Sequence, residues 1–111
     1  MSATDREIIQ KAIDALKIKI AERFGSQSQF YLFGSVARGE YTSGSDIDIM
    51  VILPGKLSNA IEEEVFSLAY DIELQYNVVF GIVVYSLDFW LSPVAEYIPL
   101  FRTIRREGIT L

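Results

Sequence analysis

Two aspartates, Asp46 and Asp48, stand one residue apart in a run that otherwise reads as protein interior: Ile47, Ile49, Met50, Val51, Ile52 and Leu53. In an extended strand, alternate side chains project from one face about 7 Å apart along the backbone, so both carboxylates aim the same way. An ionised carboxylate buried without a partner is strongly disfavoured, and a pair must be solvated, matched by cations or joined by a metal. The chain has ten Lys and Arg, and none lies on this run. A hard divalent cation is the natural partner. Mg²⁺ suits it best, because it takes oxygen ligands, binds through one or two carboxylates and completes its shell with water and substrate phosphate. Such a pair is half a site until a phosphate arrives.

A phosphate holder is expected at Gly34-Ser35. The glycine lets a phosphate approach the backbone, the next residues can open a short helix with unsatisfied N–H groups, and Ser35 adds a hydroxyl donor. Taken alone, an Asp-x-Asp is more often a solvated strand end, and a Gly-Ser an ordinary turn. Their combination carries the reading. Two other nucleotide or metal frames fail. Residues 34–39 match the glycine spacing of a P-loop, but Glu40 and Tyr41 occupy the places of its Lys and Ser or Thr. An EF-hand starting at Asp46 would put Val51 and Leu57 where glycine and glutamate are required.

The elements that must position these residues follow from periodicity. Thr4-Asp5-Arg6-Glu7 has capping-box spacing, and Ile9, Ile13, Leu16 and Ile20 form the buried stripe of a first helix that Gly25 can end. Phe30-Tyr31-Leu32-Phe33 reads as a buried strand entering a tight turn at Gly34. From Asp46 to Leu53 the pattern is period two: Asp46, Asp48, Met50 and Ile52 share one face, and Ile47, Ile49, Val51 and Leu53 the other. After Pro54-Gly55, a second helix capped at Ser58 or Asn59 buries Ile61, Val65, Leu68 and Ile72, carries Glu62, Glu63 and Glu64 in its first turn, and ends near Tyr76-Asn77. Val78 to Tyr85 is almost continuously apolar, which predicts a strand covered on both faces, central or flanked by helices. Ser92-Pro93 predicts the cap and first turn of a last helix, limited in regularity by Pro99 and closed by Gly108. Arg102, Arg105 and Arg106 suit the end of that helix, and Phe89, Trp90, Tyr97 and Phe101 suit core or interface. The expected order is α-β-β-α-β-α in one domain spanning residues 1–111, an α/β (α+β) architecture with helices packed on a mixed sheet.

Composition removes whole classes of function. A formal charge of −5 gives no broad attraction to a polyanion, so nucleic acid is a poor partner. With no cysteine and no histidine, thiolate nucleophiles, imidazole bases, disulfides and Cys/His zinc sites are excluded. Met1 to Arg6 lacks the pattern of a secretory signal and no apolar run approaches a membrane span, so the expected location is cytoplasmic, without a membrane partner.

The run Gly34-Ser35-Val36-Ala37-Arg38-Gly39-Glu40-Tyr41 and the later Ser45-Asp46-Ile47-Asp48, with ten residues between Ser35 and Asp46, resemble the signature of polymerase-β-like nucleotidyltransferases. The chain is most similar to their minimal single-domain members, the likeness extending loosely to Ile104-Arg105-Arg106-Glu107-Gly108-Ile109. The resemblance implies the polymerase-β-like fold and transfer of a nucleoside monophosphate, AMP from ATP, to an acceptor hydroxyl. Gly34, Ser35 and Arg38 would hold the nucleotide, and Asp46 and Asp48 would act as catalytic Mg²⁺ ligands. It also implies a small helical partner protein, as in antitoxins that adenylylate their toxin, and leaves room for a homo-oligomer.

One departure bears on activity. Family members carry a third carboxylate on the strand after the central helix, yet Val78 to Tyr85 contains no acid. Parity and alignment put the vacant position at Val79 first and Gly81 second. The alternative is therefore a catalytically inactive nucleotide-binding or partner-docking module. A drug-modifying nucleotidyltransferase is disfavoured, because one small domain leaves no second unit to hold the acceptor.

Overall fold

The computed structural model describes residues 3–42 and 44–111. Met1 and Ser2, part of the N-terminal segment considered above, and Ser43 lie outside the described residues.

Helix α1 (Ala3–Phe24) buries Ile9, Ala12, Ile13, Leu16 and Ile20, the predicted stripe. Thr4 already lies within the helix and so does not cap it. Gly25, at φ +112°, ends it in a backbone region that side chains disfavour. Strand β1 (Gln29–Phe33) runs into the four-residue helix α2 (Gly34–Ala37). Strand β2 (Ile47–Leu53) follows, one residue shorter than expected because Asp46 lies just ahead of it. Helix α3 (Asn59–Tyr76) starts where Ser58 accepts a hydrogen bond from the Ile61 N–H and ends at Asn77 in the left-handed conformation. Strand β3 (Phe80–Ser86) leads into α4 (Leu87–Trp90), a 3-10 turn (Pro93–Tyr97), α5 (Pro99–Glu107) and strand β4 (Ile109–Thr110). Ser92 does not cap by its side chain; its hydroxyl donates back to the Phe89 carbonyl at 2.6 Å. The expected single last helix is broken at Ile98, whose extended backbone precedes Pro99, because a residue before proline is driven out of the helical region.

The sheet order is β3-β2-β1-β4. β1 is antiparallel to β2 and β4, whereas β2 and β3 are parallel, as a crossover through α3 requires. The expectation for the last long strand needs correction: β3 is an edge, and within it only Val84 is buried. Its continuous apolarity serves half-buried positions on both faces.

Each sheet face has its own core. Ile47, Ile49, Val51 and Leu53 of β2 pack with Phe30, Leu32 and Val84 beneath α1 and α3. On the other face Met50 and Ile52 meet Ile104 of α5, with Tyr31, Phe33, Tyr85, Leu87, Trp90 and Leu100 around them. Tyr85 stacks on Phe89 and Trp90 tilts against Phe101, so these aromatics are packing elements, whereas Tyr97 is 84% exposed. Full burial of each large aliphatic side chain contributes about 1.5–3 kcal/mol, which makes β2 the anchor of both layers. No helix among the described residues is long and apolar enough to cross a membrane.

Candidate active site

The β1–α2 turn is built around Gly34, whose φ of +76° suits glycine. Val36, 9% exposed, pins α2 to the core, while the Arg38 N–H closes the helix on the Gly34 carbonyl at 3.1 Å. In this single turn the first N–H groups have no intrahelical acceptor. Ser35 is half-buried and Arg38 exposed.

Register brings the acids to this turn. Phe33 pairs with Asp48 across β1 and β2, and Asp48 pairs with Gly81 across β2 and β3. The Asp48 side chain lies against both neighbouring strands: a Cβ added at Gly34 would collide with its Oδ2 and sit 3.0 Å from its Cγ, and one added at Gly81 would collide with its Oδ1. The same Gly81 position is 3.8 Å from the Asp46 Cβ, so Asp46, Asp48 and Gly81 face one side. Two glycines thus flank one carboxylate, and any residue larger than glycine at either place would displace it. Among the sequence-predicted residues, Gly34 and Asp48 come together directly, Asp46 lies on the same side as Asp48, and Ser35 follows Gly34 on the same turn.

Of the two positions named for a third carboxylate, Gly81 pairs with Asp48 and has no room for a side chain beside that carboxylate, while Val79 accepts the Ile47 N–H through its carbonyl at 2.8 Å at the start of β2. Among the described residues no group of three or more His, Cys, Asp or Glu is arranged to hold a metal ion. The donor set is two carboxylates, which matches the minimum by which Mg²⁺ is held when phosphate and water supply its remaining ligands. Burial pushes the Asp48 carboxyl above its ordinary 3.8; the Asp46 charge adds to the rise and Arg38 opposes it. A carboxylate desolvated beside a second acid is the electrostatic state a cation relieves.

Arg38 reaches this field by an unexpected support. Its Nε donates to Glu40 at 3.0 Å and its Nη1 to both Glu107 oxygens at 3.2 Å. Glu107 has a side chain only 15% exposed and ends α5 one residue ahead of β4, whose pairing of Ile109 with Leu32 sets this end of α5 beside the Gly34 end of β1. Sequence reading placed Glu107 inside a motif but did not find this role, since the contact joins residues 69 apart. The only advance signal was an acid following two arginines at a helix end.

A mixed sheet whose second strand delivers two acids to a glycine turn at the end of the first defines the class, the polymerase-β-like nucleotidyltransferase fold. The nucleotidyltransferase domain family model matches residues 13–105, and the chain belongs to that family. A Methanocaldococcus jannaschii protein, named as a proposed protein adenylyltransferase, is 34% identical over 107 residues, covering 96% of this chain and 97% of its own. A second protein from the same organism, named in the same way, is 28% identical over 65 residues, 59% of this chain and 66% of its own. Among solved structures, a toxin-antitoxin with AMP-PNP contains a chain that superposes with a TM-score of 0.55 at 22% identity, covering 86% of this chain and 68% of that one. A toxin-antitoxin MntA-HpeT mutant gives 0.54 at 20% identity, covering 84% and 67%. At these identities the superpositions speak for the fold.

Proposed function

We propose that this nucleotidyltransferase moves AMP from ATP to a hydroxyl on a partner protein, with Asp46 and Asp48 holding Mg²⁺ and with Gly34, Ser35 and Arg38 holding the triphosphate. The observation that carries the reading is the Asp48 carboxylate set between Gly34 and Gly81, with Asp46 on the same side. Support for the nucleotide and acceptor comes from relatives: one is named for protein adenylylation, and the AMP-PNP complex is a toxin-antitoxin.

In this scheme the glycine at residue 34 allows the phosphates to lie close to the backbone, and the first N–H groups of α2 donate to them. Arg38, held by Glu40 and Glu107, adds a cationic contact without swinging freely. Bound Mg²⁺ supplies charge neutralisation and in-line orientation of the phosphate oxygens. The acceptor oxygen forms a bond to the α-phosphorus, the bond to pyrophosphate breaks, and the hydroxyl proton leaves to water. No acid of β3 stands ready to take it.

That missing acid favours the second reading, a module that binds nucleotide or partner without turnover. Loss of a positioned base costs roughly 10²- to 10⁴-fold, a slow enzyme and not an inert one. One experiment separates the two. ATP labelled at the α-phosphate is incubated with Mg²⁺, this chain and the protein encoded beside it. Label on that protein, abolished by Asp46→Asn, is expected; a stable complex that never acquires label sinks the transferase reading and leaves the docking module.

A further inference from the structure

Helix α3 leaves one flank uncovered. Its inward stripe of Val65, Ala69 and Ile72 is buried, but one step round the helix Phe66, Tyr70 and Leu74 recur every four residues and are 46%, 58% and 66% exposed. Beside them runs β3, the sheet edge, with Phe80 and Ile82 half-buried on the side away from Gly81. Together these walls enclose a groove of about 660 Å³, floored by Ala69, Phe80 and Ile82, walled by Phe66 and Tyr70, with Glu63 and Glu73 also lining it.

Three occupants can be weighed. An added strand would pair with the edge of β3, but Glu73 already accepts the Phe80 N–H at 2.8 Å, and a carboxylate on an edge is a device against strand addition. A second copy would bring α3 against α3 across a two-fold axis. That helix carries Glu62, Glu63, Glu64, Asp71 and Glu73 and no Lys or Arg, so the pairing sets acid against acid in a chain of net charge −5. A basic helix from another protein meets neither obstacle. The four-residue ridge of Phe66, Tyr70 and Leu74 is the kind that interdigitates with a second helix, and such a helix would extend the α1 and α3 layer past its present edge. Glu63 and Glu73 are ten residues apart, about 15 Å along α3, which matches roughly three turns of a partner.

We propose that this groove docks an amphipathic helix of a partner protein, large aliphatic side chains seated between Phe66, Tyr70 and Ile82 and flanking Lys or Arg paired with Glu63 and Glu73. This deepens the partner part of the proposed function, and it leaves the nucleotide face open because Phe80 and Ile82 point away from Asp48.

The test uses the full chain without nucleotide and a fluorescent Leu/Lys amphipathic peptide of about 18 residues, long enough to hold a helix. Anisotropy, circular dichroism and sedimentation are read together. Expected are binding with gain of helix, weakening by salt, about tenfold weaker binding to Tyr70→Ala and to Glu63→Lys, no binding of the same peptide with Glu in place of Lys, and no change with Leu91→Ser, an exposed leucine that does not line the groove. Unchanged binding to Tyr70→Ala, an equal loss with Leu91→Ser, a peptide that gains β-structure, no binding, or a wild-type dimer that Tyr70→Ala dissociates would each overturn the proposal. Asp46→Asn is expected to bind the peptide as wild type does, so failed docking and failed transfer are read apart.

Discussion

Along β2 and the residue just ahead of it, the side chains that share a face change character between Asp48 and Met50. Met50 and Ile52 are 0% and 1% exposed beneath α5, whereas Asp48 is half-buried and Asp46 exposed at the open end. The neighbours change with them: Met50 pairs with Tyr31 and Val83, and Asp48 with Phe33 and Gly81, with Gly34 against its side chain. One strand therefore spends its far end on cohesion and its near end on a concentration of like charge that works against folding. Stability and chemistry sit next to each other but depend on different side chains, and substitutions can pull them apart.

The largest expected effect is at the near end. Asp46→Asn or Asp48→Asn should lower label transfer about 10³-fold, equivalent to roughly 4 kcal/mol of transition-state stabilisation. Transfer by Asp48→Asn equal to wild type would remove the metal assignment. At the far end, Met50→Ala should cost about 2–5 kcal/mol of stability in a denaturant titration, with per-molecule transfer kept in the fraction that remains folded. A drop in transfer without a drop in stability would erase the contrast.

Gly34→Ala tests the boundary between the two. Its positive φ and the collision of the new Cβ with the Asp48 carboxylate should cost about 1–3 kcal/mol and also weaken ATP binding, read by calorimetry on the folded protein. Glu107→Gln should do less. With its hold on Arg38 loosened, ATP affinity should fall while the melting temperature scarcely moves; an unchanged affinity would make the Glu107 contact purely structural.

The smallest and most diagnostic effect concerns pH. Burial, then Asp46, raises the Asp48 carboxyl above 3.8, so the folded state binds more protons than the unfolded one between 3.8 and the raised value. Stability is lost as pH rises through that window. In metal-free buffer Asp48→Asn should therefore melt above wild type at pH 7, with the difference shrinking as pH falls toward 3.8. Lower melting at pH 7 would show that the carboxylate stabilises the fold and that the two ends of β2 are not opposed.

The helices α1 and α3, strand β2 and the Gly34 turn were legible because each follows from local periodicity or a residue with special backbone freedom. Sequence alone established that Asp46 and Asp48 share a face and that a glycine turn precedes them by a fixed interval. It left β3 central or flanked by helices, and β3 proves to be an edge strand with α3 and α4 against it, since an apolar run does not tell half-buried edge from buried centre. It ran one helix across Ile98-Pro99, and it could only name Val79 and Gly81 together for a third carboxylate, since the two share parity.

Local propensity and burial pattern act within about one element, and that much is written in order along the chain. Which side chain fills the gap beside Gly34 and Gly81, which carboxylate steadies Arg38, and which flank of α3 stays bare depend on strands and helices far apart in sequence. Those were decided by packing, because space and charge are shared among neighbours that only the folded chain brings together.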